Sequence, residues 1–105
     1  MKIQWTLRAR KGYLQISRYI QIKFGKTASE RFVKGVLETE EMLANNPNIG
    51  KVDPLFQGRS RMYRSLIIRG LSKVVYCIEA DTLYIVAMWD TRKDPIIQAS
   101  KAEES

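Results

Sequence analysis

The feature that most constrains this chain is a change of hydrophobic period, from two to that of a helix and back to two. Residues 2–8 alternate: Ile3, Trp5 and Leu7 share one side, and Lys2, Gln4, Thr6 and Arg8 the other. That pattern reads as a half-buried strand. From Ala9 the apolar residues Ala9, Tyr13, Ile16, Ile20 and Phe24 recur at helical spacing, until Gly25 stops the helix. A second helix follows at once. Thr27 and Glu30 have capping-box spacing, and Phe32, Val33, Val36, Leu37 and Leu43 form the apolar stripe. Asn46-Pro47 ends it, because the residue before proline avoids helical backbone. So short a connection implies an antiparallel helix hairpin.

Residues 47–61 carry two prolines and two glycines and read as a loop. Period two then returns in residues 62–68, 73–79 and 82–89, broken at Arg69-Gly70 and Ala80-Asp81. These short turns predict an antiparallel meander. The expected fold is α+β: an N-terminal strand, then a two-helix hairpin packed on a small antiparallel sheet. Val74, Tyr76 and Ile78 are expected under the helices, with Lys73, Val75, Cys77 and Glu79 on the other face. One domain over residues 1–105 is expected, with residues 97–105 as a frayed polar tail.

Composition excludes several chemistries. There is no histidine and one cysteine. Ser/His/Asp and Cys/His catalysis are therefore out of reach, and a zinc site has too few ligands. Cys77 reads as a small buried side chain. No phosphate loop or dinucleotide fingerprint is present, so no cofactor and no metal is expected. No apolar run approaches the roughly 18 residues of a membrane span, and no signal core opens the chain; a cytoplasmic protein is expected. The net charge is +7, and residues 1–34 hold nine basic side chains against Glu30 alone. Such a surplus favours polyanions or an acidic protein partner.

With this layout, particular residues resemble the RelE/ParE toxins of type II toxin–antitoxin systems. Ile16-Ser17-Arg18-Tyr19-Ile20, Phe24-Gly25, Ala28, Phe32, then Leu43 to Pro47 and Gly50 are similar to the ParE-like helix hairpin. Tyr63-Arg64 and Val75-Tyr76 fit strands found in both branches. Arg92-Lys93-Asp94-Pro95 is similar to the R-R-D-P that often closes ParE-like chains. The match spans roughly residues 3–96. It implies a growth-inhibiting toxin held by a cognate antitoxin protein. In the ParE-like branch the target is DNA gyrase and the toxin has no chemistry of its own. In the RelE-like branch it is a ribosome-dependent endoribonuclease acting on messenger RNA. A third reading is an inactive relative that only binds antitoxin.

For the RelE-like branch the resemblance names Arg64, Lys73, Arg92 and Lys93 as the catalytic candidates. There, basic residues on the open sheet face bind the RNA backbone and promote attack of the ribose 2′-OH on the adjacent phosphate. Such cations neutralise the phosphorane. The four are expected on one surface. The set departs from the pattern in three places: Leu66 stands where a second lysine belongs, no tyrosine follows Tyr84, and Asp90-Thr91 replaces the frequent His-Gly. These departures and the hairpin motifs favour the gyrase reading. As alternatives, the four cations read as solvated strand residues, Tyr63 and Tyr76 as base-stacking or core side chains, and Glu38, Glu40 and Glu41 as a solvated helix face.

Overall fold

The computed structural model describes residues 1–56, 58–69 and 72–91. β1 (Lys2–Trp5) leads into α1 (Leu7–Phe24), which turns back as α2 (Lys26–Asn45). A two-residue strand β2 (Lys51–Val52) and a 3-10 turn (Pro54–Phe56) follow, then β3 (Arg64–Ile68), β4 (Ser72–Glu79) and β5 (Thr82–Asp90). The α+β expectation is met, with one difference in the sheet. It is five-stranded and mixed, in the order β1-β5-β4-β3-β2. The meander β3-β4-β5 is antiparallel, but β1 lies parallel to β5 at the edge.

Local chemistry explains where the helices begin and end. The first strand stops at Trp5, earlier than its alternation suggests, because Thr6 caps α1: its hydroxyl accepts from the Ala9 amide at 3.2 Å. Leu7 therefore sits on the helix, 69% exposed, instead of on the strand. Gly25 has φ +95° and ψ 175°, a conformation nearly confined to glycine, and serves both helix ends. It displaces the expected capping box: Thr27 lies inside α2, and no side chain caps that helix.

The helix hairpin covers one sheet face. Phe32, Val36, Leu43, Val74, Tyr76, Leu83 and Ile85 are buried there, with Ile16, Ile20 and Ile78 packed against them. The expected polarity of the fourth strand is correct. Gly12 brings α1 close to β5, since a Cβ there would fall 2.2 Å from the Met88 carbonyl oxygen. The opposite face is also covered. Phe56, from the segment that reads as a loop, and Tyr63, from the expected strand 62–68 but just ahead of β3, bury Val75, Cys77, Val86, Ala87 and Trp89 in a second, smaller cluster. Val86 is the extra residue of a bulge, so that Val75 faces Ala87 while Tyr76 faces Ile85. Among the described residues, no helix is long and apolar enough to cross a membrane.

Candidate functional site

The register of β3 on β4 decides the fate of the cation set. Arg64 pairs with Tyr76, and Lys73 with Ile67. Arg64 and Ile67 are three residues apart, so their side chains leave opposite faces of the sheet. The expected common surface for Arg64 and Lys73 is not formed. Arg92 and Lys93 lie outside the described residues.

Each of the two described cations is committed within the chain. Arg64 lies beside Tyr76 and donates to the carbonyls of Gly50 at 2.8 Å and Asn48 at 3.4 Å. Tyr76, fully buried, donates its hydroxyl to the Pro47 carbonyl at 2.7 Å and accepts from the Gly50 amide at 2.9 Å. Burial pushes the phenol above its usual range, against the Gly50 hydrogen bond and the Arg64 charge, so it remains a neutral donor near neutrality. Gly50 must be small here, because a Cβ would approach the Tyr76 hydroxyl to 2.7 Å. Three motifs separated in sequence, Pro47 to Gly50, Tyr63-Arg64 and Val75-Tyr76, thus meet in one framework.

Lys73 occupies the other face. Its ammonium is 2.7 Å from Asp53 Oδ2 and 5.6 Å from the Trp89 ring centroid. The Asp53 side chain is only 2% exposed and that of Lys73 16%. Asp53 Oδ1 accepts from the Leu55 amide at 3.0 Å, opening the 3-10 turn. Burial alone would raise the Asp53 pKa. Hydrogen bonds from Lys73, Ser65 and Leu55, with the Lys73 charge, outweigh it and hold the carboxyl below its ordinary value. Lys73 therefore meets a carboxylate and an indole instead of the cations a phosphate site would gather. Tyr63 is buried as well, 6% exposed, so neither Tyr63 nor Tyr76 presents a free ring for a base.

An open apolar surface lies on the hairpin. An apolar groove of ≈ 300 Å³ runs between α1 and α2, lined by Trp5, Tyr13, Leu14, Val36 and Leu37, with Arg10 and Glu40 at its rim. Glu40 differs from its neighbours Glu38 and Glu41, which are exposed: it accepts from the Trp5 indole at 3.0 Å and closes one side of the groove. Leu14 and Leu37 are 62% and 59% exposed, an apolar surface with no covering among the described residues. Periodicity assigns Leu37 to the core stripe and does not mark Leu14. Among the described residues no group of three or more metal-ligating side chains is placed to hold an ion.

Comparison with known proteins agrees with this architecture. Residues 3–95 match the family model described as the ParE toxin of the type II toxin-antitoxin system parDE. A solved structure titled "Chromosomal ParDE TA system from P. aeruginosa" superimposes with a TM-score of 0.69. The superposition covers 86% of this chain and 95% of that one, at 16% identity. No curated protein matches the chain. The family match takes in both helices, the sheet and the framework that joins Pro47, Gly50, Arg64 and Tyr76, and the chain belongs to the ParE toxin family of type II toxin–antitoxin systems.

Proposed function

We propose that this toxin inhibits growth by binding and poisoning DNA gyrase, without RNA-cleaving chemistry of its own. The observation that carries the proposal is the separation of Arg64 and Lys73 onto opposite faces, each engaged by its own chain. Cleavage through the ribose 2′-OH needs cations converging on one phosphate together with a route for the proton. Neither described cation is placed for that. The cognate antitoxin is proposed to cover the hairpin groove with an apolar segment flanked by acidic residues. The exposed leucines supply the apolar area, and Arg10 with the basic first third of the chain supplies the charge complement. Association should then slow markedly as salt rises.

The test is induction of the toxin in cells with two readouts taken together. Double-strand DNA breaks that vanish when gyrase carries a poison-resistant substitution, with intact messenger RNA, are the expected result. Message cut on ribosomes by the intact chain would replace the gyrase reading with the endoribonuclease one.

A further inference from the structure

The end of the helix hairpin is unlike the rest of the molecule. Every residue from 21 to 27 is exposed, so the last turn of α1 and the first of α2 overhang the sheet. The overhang is not polar. Ile22 is 79% exposed, Phe24 62% and Tyr19 42%. The Tyr19 and Phe24 rings meet edge-on, 6.4 Å between centroids. Lys23 sits over both, 5.5 Å from one centroid and 5.8 Å from the other, and donates to the Tyr19 hydroxyl at 3.1 Å. Residues 18–34 carry Arg18, Lys23, Lys26, Arg31 and Lys34 against Glu30, which lies 3.8 Å from Lys26.

We propose that this tip is a contact for single-stranded nucleic acid, in which an unpaired base stacks on Phe24 while Lys23 and Lys26 hold the neighbouring phosphates. Three observations point to that occupant. The surplus of positive charge calls for a polyanion. Every residue of the tip is exposed, so it suits a ligand that brings flat, separable faces to it. An exposed ring beside a cation is the arrangement by which sequence-tolerant binders hold unpaired bases. The tip lies at the opposite end of the hairpin from the groove at Trp5, so antitoxin in the groove and nucleic acid at the tip are separate events. The inference does not depend on the gyrase reading.

The experiment uses the purified full chain and a fluorescent oligothymidylate read by anisotropy. Phe24→Ala should weaken binding about five- to a hundredfold, the loss expected for one stacked base. Lys23→Gln should lower the slope of log K against log salt by about 0.7, one phosphate contact. An abasic oligonucleotide of equal length should bind intact chain and Phe24→Ala equally, because only stacking distinguishes them. Gln15→Ala, exposed on the same helix but outside both the tip and the groove, is the control and should change nothing. Circular dichroism of each variant guards against unfolding. Equal oligothymidylate binding by intact chain and Phe24→Ala would overturn the proposal. So would tip variants that lose binding only to phosphatidylglycerol vesicles, which would make the tip a membrane contact. Gyrase-linked breakage has no part in this readout, so either idea can fail alone.

Discussion

The two faces of the sheet are covered by different means. On one, two helices of 18 and 20 residues lay a broad apolar surface over Val74, Tyr76, Leu83 and Ile85. On the other, a short irregular segment presses Phe56 and Tyr63 onto Val75 and Trp89, and the Lys73–Asp53 ion pair fastens it. The first cover follows from periodic burial. The second depends on one buried carboxylate, Asp53, which Lys73 meets at 2.7 Å. The contrast shows why a cation in a toxin's sheet need not be part of a site. Lys73 neutralises a buried charge, and Arg64 ties down a turn.

The largest effect should come from the helical face. Tyr76→Ala removes the central buried ring and strands the Gly50 amide and the Pro47 carbonyl, costing about 4 kcal/mol in denaturant unfolding. Tyr76→Phe, which keeps the ring, should cost about 1–2 kcal/mol. If both cost the same, the hydroxyl framework matters more than the packing, and the comparison is misdrawn.

Next comes the fastened face. Lys73→Ala leaves Asp53 buried and unpaired, a loss of about 3 kcal/mol. Lys73→Met with Asp53→Asn should recover most of it, because an apolar stem and a neutral cap replace the charges. A double variant as unstable as the single one would show that the charges themselves hold the segment.

Gly25→Ala tests the helical cover from its turn. The backbone there is open to solvent, with nothing within 4 Å of a Cβ, so only conformational strain is added, about 1–2 kcal/mol. A melt unchanged from the parent would mean the hairpin turn relaxes freely.

The smallest effect is with acid. The Asp53 carboxyl is held below the ordinary carboxylate range, so its contribution is present above that range and is lost as the pH falls through the lower folded value. Each face holds one tryptophan, Trp89 under the loop segment and Trp5 by the helices. In Trp5→Phe, Trp89 emission should shift at acid pH, and adding Asp53→Asn should abolish that shift. A shift that persists without the Asp53 carboxylate would show that the segment is not fastened by this charge.

These faces also differ in how far the sequence discloses them. The hairpin, the meander and the buried set around Val74 and Tyr76 were legible because their period matches their burial. Phe56 was not, since a covering segment without regular structure has no period to read, and Tyr63 falls within the expected strand 62–68 although β3 begins only at Arg64. β2 is too short to signal, and the parallel partner of β1 has no local mark. The true cap, Thr6, was hidden because the alternation of the first strand runs through it to Leu7. As for the site, the separation of Arg64 from Lys73 turns on the register set at the hairpin near Arg69, where a one-residue slip would exchange the faces. Residue types identified the candidates, but only the pairing could place them. Arg92 and Lys93 fall outside the described residues.

The parallel edge pair has a consequence in time. Lys2 pairs with Thr82, and Trp5 with Ile85, so the first strand has no hydrogen-bonding partner until the last strand exists. Contacts so distant along the chain form late and slow folding. During synthesis the helices can assemble and the meander can begin, while the edge stays open. A toxin built this way completes its sheet only once its last strand has been made. An antitoxin already present in the cell thus has the interval between synthesis and closure in which to meet it.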